Sequence, residues 1–267
     1  GKRIHDREDF SYLLELKDRP MSVCVFEGDL NFSLEHIKQE YPSYGSGDMR
    51  YPAFTVAQEN GSRISEFVYP GHTIKNGKPE LNGLPATYVE QEEEAATLEV
   101  NLQDMVSGTE LVLRYTIFRD FPVITRNVCF KQNSGTKVFL ERAMSLSLDL
   151  PDMDYEMIEL TGAWARKRYV KTRKLEHGIQ SVYSMRGCSS AHYNPFIALK
   201  RPEATENSGE VIGFSLVYSG NFLAQVEVDT YNVTRVTTGI NPENFSWQLR
   251  NGESFETPEA VMAYSED

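Results

Sequence analysis

Two polar stretches hold most of the side chains able to do chemistry. The first, YPSYGSGDMRYPAF (Tyr41–Phe54), sets Asp48 and Arg50 among three tyrosines, with Gly45 and Gly47 just upstream and prolines at both ends. A carboxylate held out on such a loop accepts strong hydrogen bonds from ligand hydroxyls. The same composition suits a turn aspartate that bonds its own backbone, so both readings stand. The second stretch, RGCSSAHYNPFIAL (Arg186–Leu199), places His192, Tyr193 and Asn194 in a row before Pro195 and an apolar run. Polar tips shown just before the chain enters a core are one way a rigid scaffold presents a binding loop. An ordinary inter-strand loop has the same composition.

Other reactive constellations are absent from the sequence. There is no G-x-S-x-G elbow, and the five histidines (His5, His36, His72, His177, His192) form neither H-x-H nor H-E-x-x-H. Cys188 near His192 reads as fortuitous, because cysteine in a β-rich core packs as a small hydrophobe. No Gly-rich phosphate loop follows a strand. Asp149, Asp152 and Asp154 surround Pro151, a composition that marks a turn, although plentiful acidic residues leave a glycosidase-type carboxylate pair open. No catalytic residue, metal site or cofactor is therefore assigned.

The elements that must position these loops are strands. Glu110–Phe118 (ELVLRYTIF) alternates, with Leu111, Leu113, Tyr115 and Ile117 on one face, and Thr97–Leu102, Phe121–Phe130 and Lys137–Leu150 continue the habit. It returns in Tyr155–Leu160, Ala163–Val170, Gly178–Met185, Val211–Tyr218, Phe222–Thr230 and Phe255–Tyr264. Turn signals such as Gln132–Thr136 (QNSGT) and Asn251-Gly252 separate the runs. Only Asp29–Gln39 hints at a helical turn, and Met21–Phe26 is a short apolar run in an otherwise polar start. The acidic run Glu90–Glu94 reads as a solvated loop or strand edge. The fold class is all-β: a large antiparallel two-sheet sandwich (supersandwich) with few or no helices.

Composition narrows the partners. The 267 residues carry 39 acidic against 27 basic side chains, a formal charge of -12, which argues against nucleic acid and anionic membrane surfaces. No apolar run reaches spanning length, and GKRIHDREDF has no signal-peptide core. Three scattered cysteines (Cys24, Cys129, Cys188) suit a reducing compartment, so the expected location is cytoplasmic. The sequons at Asn31, Asn60, Asn232 and Asn244 then read as chance matches.

Four segments in order and spacing carry a specific resemblance: Tyr41–Ala53, Leu160–Arg168 (LTGAWARKR), Arg186–Leu199 with SSAHYNPFIAL, and Gly213–Phe222 (GFSLVYSGNF). Together they resemble the N-terminal β-sandwich domain of the family 36 α-galactosidases, the bacterial type that cleaves raffinose and melibiose. The resemblance covers almost the whole chain. It implies a single domain over residues 1–267, lacking its first strands and a downstream (β/α)8 barrel that carries the catalytic aspartates. This segment alone is then expected to hydrolyse nothing. The resemblance further implies a tetrameric full-length homo-oligomer, in which this domain supports assembly and helps to wall a neighbouring subunit's pocket for the galactose moiety of an α-galactoside. By position it implies substrate contacts at Asp48 and Tyr193, with His192 the other candidate for the aromatic place. Asp48 and Tyr193 are expected to lie near one end of the sandwich, exposed and close together either within the chain or across a chain interface. Trp164 in GAWAR reads as a core or interface residue. The competing readings are a free-standing carbohydrate-binding sandwich and a mutarotase-like enzyme, the latter poorly served by scattered histidines.

Overall fold

The computed structural model describes residues 2–3, 13–14, 38–44 and 47–266. The apolar run Met21–Phe26, the helical hint before Lys38, and Gly45, Cys24, His5, His36 and Asn31 lie outside the described residues. β1 (Lys2–Arg3) and β2 (Leu13–Leu14) form a short antiparallel pair. The sandwich proper begins with β3 (Phe54–Gln58), β4 (Phe67–Asn76), β5 (Ala95–Asp104), β6 (Thr109–Phe118), β7 (Val123–Gln132) and β8 (Val138–Leu150). It continues through β9 (Glu156–Ala163), β10 (Arg166–Lys174), β11 (Gly178–Tyr183), β12 (Tyr193–Lys200), β13 (Val211–Val217) and β14 (Phe222–Val228). It ends with β15 (Thr234–Ile240), β16 (Trp247–Leu249), β17 (Ser254–Glu256) and β18 (Glu259–Ser265). Among the described residues there is no α-helix, only a 3-10 turn at Glu92–Glu94 inside the exposed acidic run. The all-β sandwich is therefore what forms.

A ten-stranded sheet runs β10-β9-β12-β13-β18-β7-β6-β5-β4, with β17 also on β7. It faces a six-stranded sheet ordered β11-β14-β15-β8-β16, with β3 also on β8. Alternation explains the fit: Leu111, Leu113 and Tyr115 of β6 are all at most 2% exposed and share one core cluster with Val100 and Phe130 of the neighbouring strands and with Leu140 of the opposite sheet. A second cluster gathers Leu146, Met157, Ile197, Phe214, Phe222 and Val236. The 13-residue β8 serves both, giving Val138, Leu140 and Ala143 to the first cluster and Leu146 and Leu150 to the second.

β8 also bends between the two clusters. Its pairing with β15 shifts register between Thr238 and Gly239, as in a β-bulge. Gly239 is required there by close approach: a Cβ would lie 2.7 Å from Met144 Cα and 2.8 Å from Ser145 N, both backbone atoms. Gly239→Ala is expected to cost about 1–3 kcal/mol through overpacking. A urea unfolding curve with unchanged m-value and lowered midpoint is the readout; an unshifted midpoint would contradict the bulge's tightness.

Several elements differ from the pattern in the sequence. Ala163–Val170 was expected as one strand, but Ala165 takes φ 63° and the chain turns there, separating β9 from β10. The last expected strand splits into β17 and β18. Strands β3, β4, β12, β15 and β16 form where the sequence signals no strand. β4 contains Pro70 and Gly71 within a register shift, and such breakers are tolerated because β4 is an edge strand.

Candidate functional site

The outer face of the six-stranded sheet holds a buried charge network rather than a solvated surface. Directly opposed residues share a face, and pairing sets Glu227 of β14, Arg235 of β15 and Asp149 of β8 in one row. Arg235 is 1% exposed. Its Nε donates to Asp149 Oδ1 at 2.7 Å and its Nη2 to Asp149 Oδ2 at 2.8 Å, a two-pronged pair. The same Nη2 reaches Asp48 Oδ2 at 2.8 Å. The loop before β3 thus folds down over the sheet and delivers Asp48 and Arg50 to this row.

Asp48 is 6% exposed, and both its oxygens are occupied. Oδ1 accepts from the Arg50 backbone N–H and Nε, each at 2.9 Å. Oδ2 accepts from Gln39 Nε2 at 2.7 Å and Arg50 Nη2 at 2.9 Å, besides Arg235. Burial alone would raise its pKa, but the Arg50 hydrogen bonds and the Arg235 charge outweigh that and hold the carboxyl below its usual value. Arg50 also reaches Asp229 at 3.4 Å. Glu227 accepts the Tyr51 N–H at 2.9 Å, yet burial dominates and pushes its carboxyl up. The expectation of an exposed Asp48 is not met: a carboxylate enclosed this deeply requires cationic partners to offset its lost hydration. What the loop exposes instead is Tyr44, Met49 and Tyr51, with the Arg142 guanidinium 5.4 Å from the Tyr51 ring centre.

Tyr193 opens β12, half-buried, and stacks on Tyr183 with ring centres 6.3 Å apart and planes 25° from parallel. Tyr183 lies opposite Leu223, four residues along β14 from Glu227 on the same face. That spacing separates the tyrosine pair from the charge row by about 13 Å along the strands. Tyr193 itself belongs to β12 of the ten-stranded sheet and packs against the second core cluster, so Asp48 and Tyr193 are not brought together within the chain. His192 is exposed, its Nδ1 3.3 Å from Ser190 Oγ, and its carbonyl accepts the Gly162 N–H at 2.9 Å. This last bond ties the loop to the β9–β10 hairpin. At that hairpin's tip Trp164 is 89% exposed, which excludes the core reading of this residue.

The sequence does not single out Arg235 or Glu227, and Asp149, read with Asp152 and Asp154 as part of a turn, lies inside β8. Their signal was a charge inside a strand, where burial demands a partner. Elsewhere, an open cleft of about 390 Å³ lies at the β4 irregularity, lined by His72, Asn101, Gln103 and Glu110 among others. None of the expected site residues reaches it. No group of His, Cys, Asp and Glu suited to a metal occurs among the described residues, and no described helix is long and apolar enough to cross a membrane.

With this geometry in view, residues 1–250 match the family model described as "Glycosyl hydrolase family 36 N-terminal domain". The chain is 51% identical over 266 residues to α-galactosidase AgaA of Geobacillus stearothermophilus, covering 100% of this chain and 36% of that protein. It is 42% identical over 238 residues to α-galactosidase Mel36A of Lactobacillus acidophilus, covering 89% and 32% respectively. The crystal structure of AgaA superposes with a TM-score of 0.93 at 45% identity, over 100% of this chain and 41% of that one. A variant of AgaA in complex with raffinose gives 0.88 at 50% identity, over 95% and 35%. The chain thus spans about a third of the length of the curated relatives it matches. On this match, which runs through both loops and the strands that carry them, the chain belongs to glycosyl hydrolase family 36 as its N-terminal domain.

Proposed function

We propose that this chain is the N-terminal portion of an α-galactosidase acting on terminal α-galactosides such as raffinose and melibiose, that it is itself non-catalytic, and that it supports homo-oligomer assembly and lends loops to a neighbouring subunit's sugar pocket. The observation that carries the reading is 51% identity to AgaA across the full chain. The site chemistry agrees with a non-catalytic role. Asp48 and Asp149 are saturated by arginine donors, so neither offers a carboxyl free to move a proton.

Within this reading Asp48 acts as a positioning residue. It pins the Tyr41–Ala53 loop to the sheet, and the loop offers Tyr44, Met49 and Tyr51 outward. Tyr193, backed by Tyr183, supplies an aromatic face of the kind that covers the C–H side of a galactose ring, with His192 exposed beside it.

The direct test compares full-length protein with this segment on melibiose and raffinose. Hydrolysis by the full-length protein and none by the segment is expected; turnover by the segment alone would overturn the reading. In the full-length enzyme, Tyr193→Ala is expected to raise KM about tenfold, the scale of 1.4 kcal/mol, with an unchanged melting temperature. Asp48→Ala should raise KM and lower the melting temperature together. Normal KM in both variants would remove these loops from the pocket.

A further inference from the structure

The strand β10 closes the ten-stranded sheet and pairs only with β9, so its outer backbone edge is open. Its sequence, RKRYVKTRK, holds six cations and no carboxylate, in a chain whose net charge is -12. Every residue of it except Arg173 is exposed. Arg173 is committed to Glu159 of β9. Arg166, Lys167, Arg168, Lys171 and Lys174 form no ion pair among the described residues. Beside these charges stand Trp164 at 89% exposure, Tyr169 at 57% and Val170 at 68%. A bare tryptophan with two apolar neighbours, set in a rim of cations, is the composition of an interface anchor rather than of solvated surface.

Charge decides what this edge can accept. Two β10 strands pairing edge to edge would set like charges opposite one another, which is destabilising. The strand takes 6 of the 27 basic residues, so the rest of the chain carries 21 basic against 39 acidic side chains. A second copy of this domain thus presents an excess of acidic side chains outside its own β10. We infer that the β9–β10 hairpin, Trp164 to Lys174, is a docking element that seats on an acidic surface of another copy of the protein, with Trp164 as its apolar anchor and β10 as its electrostatic guide. This rests on the reading above that the full-length protein assembles, and it names the surface and its chemistry. The contact is between unlike patches, so it links copies in a way that a symmetric strand pairing does not.

The test uses full-length protein in sedimentation velocity and multi-angle light scattering. Two variants are needed: the triple Lys167→Glu, Lys171→Glu, Lys174→Glu, and Trp164→Ala. All four positions are exposed, so melting temperatures within about 2 °C of wild type are expected, a shift smaller than 1 kcal/mol produces. Each variant should dissociate at concentrations at least about tenfold above those at which the wild type does. Raising salt from 0.05 to 0.5 M should weaken the wild type and leave the triple variant little changed. Assembly of the triple variant at wild-type concentrations would overturn the inference and reduce the cations to guards against edge aggregation. Melibiose hydrolysis, measured in parallel, keeps the outcomes separate. Undiminished assembly in an active enzyme sinks the hairpin alone, whereas a wild type inactive on α-galactosides sinks the underlying reading.

Discussion

Arg235→Met is expected to lower the unfolding free energy by about 3–5 kcal/mol, the scale of breaking a buried ion pair by removing one partner. Arg235 is the hub of the outer row: it bridges Asp149 and Asp48 and also donates to the Tyr51 carbonyl at 3.3 Å. Without it, Asp149 is left buried with the Gln39 N–H at 2.9 Å and a more distant cation, Arg50 at 3.4 Å. Simple loss of packing would be smaller, because methionine fills most of the aliphatic volume of arginine. A double variant, Arg235→Met with Asp149→Asn, should regain much of the loss, since the carboxylate that loses its main partner leaves with the cation while Asp48 keeps Arg50 at 2.9 Å. Urea unfolding of the three proteins decides the matter. A single variant within 1 kcal/mol of wild type would show that the row contributes nothing to the fold.

Asp48→Asn should be costly at neutral pH and progressively less so in acid. The folded carboxyl is held below its ordinary value of 3.8, so ionised Asp48 stabilises the fold fully above that pH, and the contribution is lost as pH falls through the lower folded value. At pH 7 the substitution should cost about 1.5–3 kcal/mol, the range for a hydrogen bond to a charged group. Glu227 works the opposite way. Its carboxyl is raised above 4.5 in the fold, so stability is lost as pH rises from 4.5 through that raised value, and Glu227→Gln should remove this decline. Thermal melts from pH 3 to 8 on the two variants should therefore diverge from wild type toward neutral pH and in opposite directions, Asp48→Asn falling below it and Glu227→Gln rising above it. Parallel curves across the whole range would show that neither carboxyl titrates under the influence of its neighbours.

The strands that were legible in the sequence are those with one face in the core and one in solvent or a neighbouring layer. β6 alternates cleanly because Leu111, Leu113 and Tyr115 all point into one cluster. β15, TRVTTGI, hides itself, because six of its seven residues are buried and its outer face carries Arg235 and Thr237 rather than solvated groups. β12 is masked by Pro195, and its pairing with β9 skips from Tyr193 to Ile197. Local composition located the Asp48 loop but could not show its direction. Its decisive partner, Arg235, lies 187 residues away, and no short-range pattern encodes that meeting. Trp164 is the converse: a large aromatic suggests burial, while the left-handed Ala165 beside it turns the chain outward.

The distance in sequence between Asp48 and Arg235 also sets an order of events during synthesis. At about 5–20 residues per second, a ribosome needs roughly 10–40 s after emitting Asp48 to produce Arg235. Throughout that interval the carboxylate and its loop have no central cation to settle on, and β8, already made, waits for the same residue. The growing chain can zip β4 to β7 as consecutive hairpins, but the outer face of the smaller sheet waits for β14 and β15, which are made well after β8. Truncated chains ending before β15 should therefore be aggregation-prone and chaperone-bound, while those extending past β18 should release.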